Sequence, residues 1–203
     1  MGKLVKPGVK GYFAKNYLIL LFVAFFLIMG IVFGVLGVKA LTPEQLSGLN
    51  SYIDTGLKTV GSTLDYQSTA KQAIWRNLST IFKIWFLGLT VIGLPLILVI
   101  IFTRGFILGF TVGFFLQNKG WQGLIIILLT IFPQNIIHLP SLIIAGATSI
   151  GFTLYLLRGR KDNTSISSNF IRFSAVMLLI ALFMLLAGFL EGYVSLLGTK
   201  LFA

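Results

Sequence analysis

Cysteine is absent from this chain of 203 residues. Disulfides, thiolate catalysis and cysteine-based metal centres are therefore excluded, and the redox compartment is left unspecified. Acidic residues are almost as scarce, with five Asp and Glu against 16 Lys and Arg and a formal net charge of +11. The single histidine, His138, rules out a catalytic histidine pair and the HExxH zinc motif. No GxSxG elbow, phosphate-binding loop, GxGxxG fingerprint or pair of aspartates at membrane depth occurs. The expectation is a protein that is not an enzyme and carries no cofactor.

What the chain does have is apolar length. Hydrophobic residues make up 57% of it and charged residues only 10%, and the mean hydropathy is +0.97. That leaves too little polar surface for a water-facing globule and points to an integral membrane protein. The basic residues flank apolar runs, so the positive charge reads as membrane orientation and contact with anionic lipid, not as nucleic-acid binding.

The fold class expected is an all-α, polytopic helical bundle of about five transmembrane helices, with a broken or re-entrant half-helix and an extracytoplasmic amphipathic helix. Residues 1–16, with four lysines and no acid, form the cytoplasmic N-terminus. The first span covers 17–38, about 33 Å of helix, longer than the apolar core of a cleaved signal peptide. Gly30, Gly34 and Gly37 give its end a close-packing face.

Segment 39–83 is the amphipathic, extracytoplasmic part. Thr42-Pro43-Glu44-Gln45 reads as a helix start, and Leu46, Leu49, Ile53, Leu57, Val60 and Leu64 recur at helical spacing. Its Asp54 and Asp65 are candidates for partner docking. Trp75, Arg76, Lys83 and Trp85 read as an interfacial belt before the second span, 84–103. Gly93 and Pro95 are expected to kink that span, and Arg104 to end it.

A third helix, 105–118, carries Gly105, Gly109 and Gly113 on one face, for internal helix packing or for a homodimer. After the Asn-Lys-Gly-Trp-Gln-Gly turn comes a broken region with a fourth helix, 124–157, in which Pro133 and Pro140 are kink positions. Leu124 to His138 is the expected half-helix. A basic cytoplasmic loop, 158–172, leads to the last span, 173–197. Basic residues number four in the first 16, four in 158–172 and five in 39–83, where acids also lie. By the positive-inside rule the first two segments are cytoplasmic and the third is outside.

Four polar residues stand out at depth: Gln134, Asn135, His138 and Glu191. Gln134 and His138 are four apart and share a helical face. Glu191 lies late in the last span, and an ionisable group there needs a partner or water. Three uses stay open: structural pairing, including capping of backbone groups freed by Pro133 and Pro140; a metal site, for which His138 and Glu191 are weak candidates and no metal is expected; and a transport path through the broken helix.

The run VIGLPLILVIIFTRGFILGFTVGFF, the NKGW turn, PQNIIHLP and the late LEGYVS together resemble the stage II sporulation protein M family of endospore-forming bacteria. The similarity covers most of the chain and is densest from Gly88 to Pro140. It implies a multi-pass protein of the cytoplasmic membrane, at the septal, engulfing membrane of the mother cell. Its implied role is that of a scaffold recruiting two peptidoglycan-degrading partners, the stage II sporulation proteins D and P. The alternative is a small transporter or channel, metal-linked or not, built on 133–140 and Glu191. The wider superfamily carries a Pro-His-Gly…Glu-Leu-Pro pattern here. Pro133, Pro140 and an ionisable residue before Leu139 match it, whereas the His-Gly pair is absent. Glu191 matches the acidic position of the family's last helix.

Overall fold

Aliphatic and aromatic runs in lipid must satisfy their backbone polar groups internally, and the described residues do so by being helical apart from short turns. The computed structural model describes the backbone of residues 9–62, 66–158 and 166–200, and the side chains of residues 17–52, 55, 67–157 and 166–193. The element order is α1 (Val9–Lys39), α2 (Pro43–Ser62), α3 (Tyr66–Gly88), α4 (Gly93–Ile126), a π-helical turn (Ile127–Ile131), α5 (Phe132–Arg158) and α6 (Ile166–Lys200). Asp65 lies outside the described residues, as does the side chain of Asp54.

Among the described residues, three stretches are long and apolar enough to cross a membrane: Tyr17–Lys39, Gly93–Leu157 and Ile166–Tyr193. By length and composition, three apolar spans replace the expected five; the second of them holds both α4 and α5, and α3, too polar to be counted, also runs along the bundle. The second expected span, 84–103, does not exist as a helix, because the chain reverses at residues 89–92. Gly93 closes that reversal: its amide donates to the Thr90 carbonyl at 3.1 Å, and an added Cβ would lie 1.8 Å from the Leu87 carbonyl oxygen. Pro95 then falls in the first turn of α4, where no amide donor is required, and starts the helix instead of kinking it.

Arg104 ends nothing. α4 runs through it to Gly120, where φ of 51° and ψ of −124° break the helical path. A second glycine, Gly123, then lies against Phe115, so the chain folds back on itself here. The Asn-Lys-Gly-Trp-Gln-Gly turn is thus present, and the expected helices 84–103 and 105–118 merge largely into one. Beyond the turn, the expected half-helix 124–138 is part of a continuous helical path down to Arg158. The π turn absorbs Pro133: the Phe132 amide reaches the Ile127 carbonyl, five residues back. The Asn135 side-chain amide donates to the Ile131 carbonyl at 2.7 Å, and the Thr130 hydroxyl donates to the Ile126 carbonyl.

Contacts fix the helix directions. Gly30 and Gly34 of α1 meet the backbone at Phe102 and Phe106, while Gly105 and Gly109 of α4 meet Leu27 and Ile31, so α1 and α4 run parallel. α3 and α6 run antiparallel, with Ala70 against Gly192, Ile74 against Gly188 and the Trp85 indole donating to the Ser174 hydroxyl at 3.1 Å. α5 runs parallel to α3: the Ser149 hydroxyl donates to the Ile84 carbonyl at 3.1 Å, and the Thr153 hydroxyl to the Gly88 carbonyl at 2.8 Å. The reversal at 89–92 and the end of α5 therefore share one end of the bundle. α2 and the Gly120 turn share the other, where Asn50 donates to Asn118 at 3.3 Å.

This arrangement corrects segment 39–83 as well. Only α2 sits beyond the bundle; α3 passes down through it. α2 begins as its sequence implies, with the Gln45 amide donating to Thr42 Oγ1 at 3.3 Å and the Thr42 amide donating to Gln45 Oε1 at 3.0 Å. This is the reciprocal arrangement of a capping box. The core between the helices is built on Val23, Ile84, Ile97, Ile101, Leu142 and Met184. Rings of Phe152 and Phe173 stack at 4.5 Å near the α5–α6 end. The outward faces of α1 and α6 expose Leu18, Phe25, Leu178 and Leu182, as lipid contact requires.

Candidate functional site

α3 is the least apolar of the bundle helices, because Lys71, Gln72, Arg76, Asn77 and Lys83 interrupt its hydrophobic positions. Two of these, the buried Asn77 and the half-exposed Arg76, reach α6 and organise a polar layer. Arg76 donates from Nη2 to Glu191 Oε1 on α6, an ion pair whose side chains are 52% and 22% exposed. Asn77, fully buried, donates to the Met184 carbonyl of α6 at 3.4 Å. One turn further along, the buried Thr80 hydroxyl donates to the Arg76 carbonyl at 2.9 Å and accepts from Arg104 Nη2 of α4. The connection therefore runs α4–α3–α6, from Arg104 through Thr80 and Arg76 to Glu191.

Depth gives these contacts their weight. Arg104 is about 16 Å along α4 from Gly93 at 1.5 Å per residue, roughly halfway through a 30 Å hydrocarbon core. Charges there persist only when paired, hydrogen-bonded or reached by water. The layer nevertheless holds two guanidinium groups against one carboxylate, since Glu191 is the only acid among the described residues of α3 to α6. Among the described residues, Arg104 bonds to a neutral hydroxyl, that of Thr80.

The four polar residues singled out from sequence fall into different roles. Glu191 pairs with Arg76, not with His138. Asn135 serves the backbone at the π turn. Gln134 and His138 share a face of α5, and Gln134 Oε1 and His138 Nε2 are both buried without a hydrogen-bond partner. Among the described residues, no group of three or more histidine, cysteine or acidic side chains converges. Gly105 and Gly109 are filled by the α1 backbone, and Gly113 lies against Val35 and Val38 of α1. This face is thus used within the chain, and a second copy would have to displace α1 to reach it.

Arg76, Asn77, Thr80 and Arg104 were not legible as site residues. Arg76 sits between Trp75 and Lys83 in a pattern that reads as an interfacial belt, and Arg104 follows an apolar run like an ordinary end of a span. The usable signal was arithmetic: a lone acid late in an apolar helix calls for a cation at similar depth, and α3 offers Arg76.

No curated relative and no solved structure matches the chain. A family model does: residues 22–196 match stage II sporulation protein M. That range runs from α1 through the glycine-packed α1–α4 pair to the segment of α6 that carries Glu191, so it takes in every helix described above. The chain belongs to the stage II sporulation protein M family.

Proposed function

We propose that the chain is a non-catalytic membrane scaffold of the sporulation engulfment machinery. In this reading it gathers the peptidoglycan-degrading stage II sporulation proteins D and P at the septal membrane, on the mother-cell side. The observation that carries the reading is the family match over residues 22–196. Its support in the fold is α2, an amphipathic helix standing off the bundle end with a capped start and few contacts to the rest of the chain. A scaffold needs such a face, and a bundle that holds its shape beneath it. The hydrogen-bonded connection from Arg104 to Glu191 supplies that shape and favours a scaffold over a transporter, whose broken helices rearrange around a substrate. With the N-terminus and the 158–172 loop in the cytoplasm, α2 faces the wall, where the partners act.

The test is recovery of both hydrolases with the tagged protein from sporulating cells. Wild type should recover both. Asp54→Lys, which reverses a charge on α2, should reduce recovery at unchanged membrane abundance, whereas Glu191→Ala, away from α2, should leave recovery relative to abundance unchanged. Failure of the wild-type protein to recover either hydrolase overturns the reading.

A further inference from the structure

α3 runs the length of the bundle, yet its outward side is not built for lipid. Gln72, Arg76, Ser79 and Lys83 follow one another at spacings of four, three and four residues, which sets them in a single stripe along the helix. Gln72 and Lys83 are exposed, Ser79 is half-buried and the Arg76 side chain is 52% exposed. Counted from Tyr66 at about 1.5 Å per residue, the stripe runs from about 9 Å to about 26 Å along a helix of about 34 Å, so it lies within hydrocarbon depth. Trp75 and Phe82, 73% and 63% exposed, flank it on one side.

Lipid is a poor cover for such a stripe. A lysine near a helix end can snorkel to the headgroups, but Arg76 sits near mid-depth, and Gln72 and Ser79 are too short to leave. The four-three-four spacing is instead the seam against which another helix packs, and polar side chains along a seam in a membrane hydrogen-bond across it. Charge selects the occupant. Among the described residues of α3 to α6 the only acid, Glu191, is already paired with Arg76, so Lys83 brings an unbalanced positive charge. A second copy facing across a twofold axis would set Lys83 against Lys83 and Arg76 against Arg76.

We propose that this stripe of α3 is a docking seam for a transmembrane helix of a partner protein, apolar overall and carrying a carboxylate at the depth of Lys83. The carboxylate pairs with the Lys83 ammonium, Gln72 and Ser79 hydrogen-bond along the seam, and Trp75 and Phe82 pack on the partner's apolar side. The seam lies within the bilayer, apart from α2, and serves whichever protein supplies the helix.

The test uses the full-length protein in lipid nanodiscs and energy transfer to labelled single-span peptides. Lys83 lies five residues before Gly88, the end of α3, so each leucine-rich peptide carries Glu, Gln or Leu at that distance inside one end of its span. The Glu peptide should bind about tenfold or more tightly than the Leu peptide, with the Gln peptide between them. Lys83→Gln should abolish the preference for Glu over Gln. Lys71→Gln removes one positive charge from the same helix but off the stripe, and should leave that preference unchanged. The proposal is overturned by equal binding of the three peptides, which makes lipid the cover, or by a Glu preference that survives Lys83→Gln or is lost equally in Lys71→Gln. Labelled copies of the protein that associate with one another and exclude the peptide overturn it as well. Hydrolase recovery plays no part in this readout, so failure here leaves the scaffold reading untouched.

Discussion

Gly109→Ala adds one methyl group at the tightest point of the α1–α4 pair. The new Cβ would lie 2.0 Å from the Ile31 carbonyl oxygen, whereas ordinary contact begins at 3.4 Å. The obstacle is backbone and cannot swing aside, so the two helices must part locally by about 1.4 Å, which forfeits dispersion contacts along the seam. Overpacking of this kind costs about 1–3 kcal/mol, partly offset by the ~1 kcal/mol that alanine gains over glycine in a helix. Gly48→Ala isolates that gain, because nothing lies within 4 Å of its added Cβ. Denaturation of the full-length protein in mixed micelles should therefore show Gly109→Ala less stable than wild type, and Gly48→Ala equal or slightly more stable. The double variant Gly34→Ala/Gly109→Ala should lose less than the two single losses combined, since the first separation also relieves the second clash. A Gly109→Ala protein as stable as Gly48→Ala would refute the close parallel packing of α1 and α4.

Further expectations concern the ion pair, the turn and the cap. Arg76→Ala should destabilise more than Glu191→Ala, by roughly 1–3 kcal/mol against less than ~1, because a lone Glu191 stays mostly enclosed whereas a lone, half-exposed Arg76 can snorkel along the bundle surface; the same denaturation assay ranks them, and the reverse order contradicts the pairing. Gly120→Ala should cost about 1–3 kcal/mol although its added Cβ has no neighbour, since φ of 51° with ψ of −124° is strained for any other residue; an unchanged midpoint would place the chain reversal elsewhere. Thr42→Ala removes half of the capping box and should loosen α2 by about 1 kcal/mol without moving the global midpoint. Amide exchange confined to the first turns of α2 checks this, and a global loss would mean that α2 is integral to the bundle.

The apolar class, the helical fold and the start of α2 were legible in the sequence because each is written locally, in hydropathy or in a four-residue cap. The turn at 118–123 was legible for the same reason. The path from 84 to 104 was not. Gly93 and Pro95 look alike whether a helix bends through them or begins at them, and only the Leu87 carbonyl pressed against Gly93 decides. Arg104 misled because a cation after an apolar run usually marks the membrane surface. Here a hydroxyl 24 residues upstream accepts from it at depth. Glu191 was recognisable as needing a partner, but the identity of that partner depended on the α3–α6 register, which no local pattern encodes.

The parallel pairing of α1 with α4 also sets an order for building the protein. Two neighbouring helices that point the same way need a return passage between them, and α3 provides it while carrying Lys71, Arg76 and Lys83. Such a helix partitions poorly into lipid by itself. Its arginine also does not meet the acid it pairs with until α6 has been synthesised. α1 must therefore wait in the bilayer as a single helix while its eventual neighbour is still being made, and α3 enters stably only in company with α4 and α6. Maturation should depend on completion of α6, and a chain stopped before Glu191 should leave α3 open to membrane quality control although every residue of α3 is present.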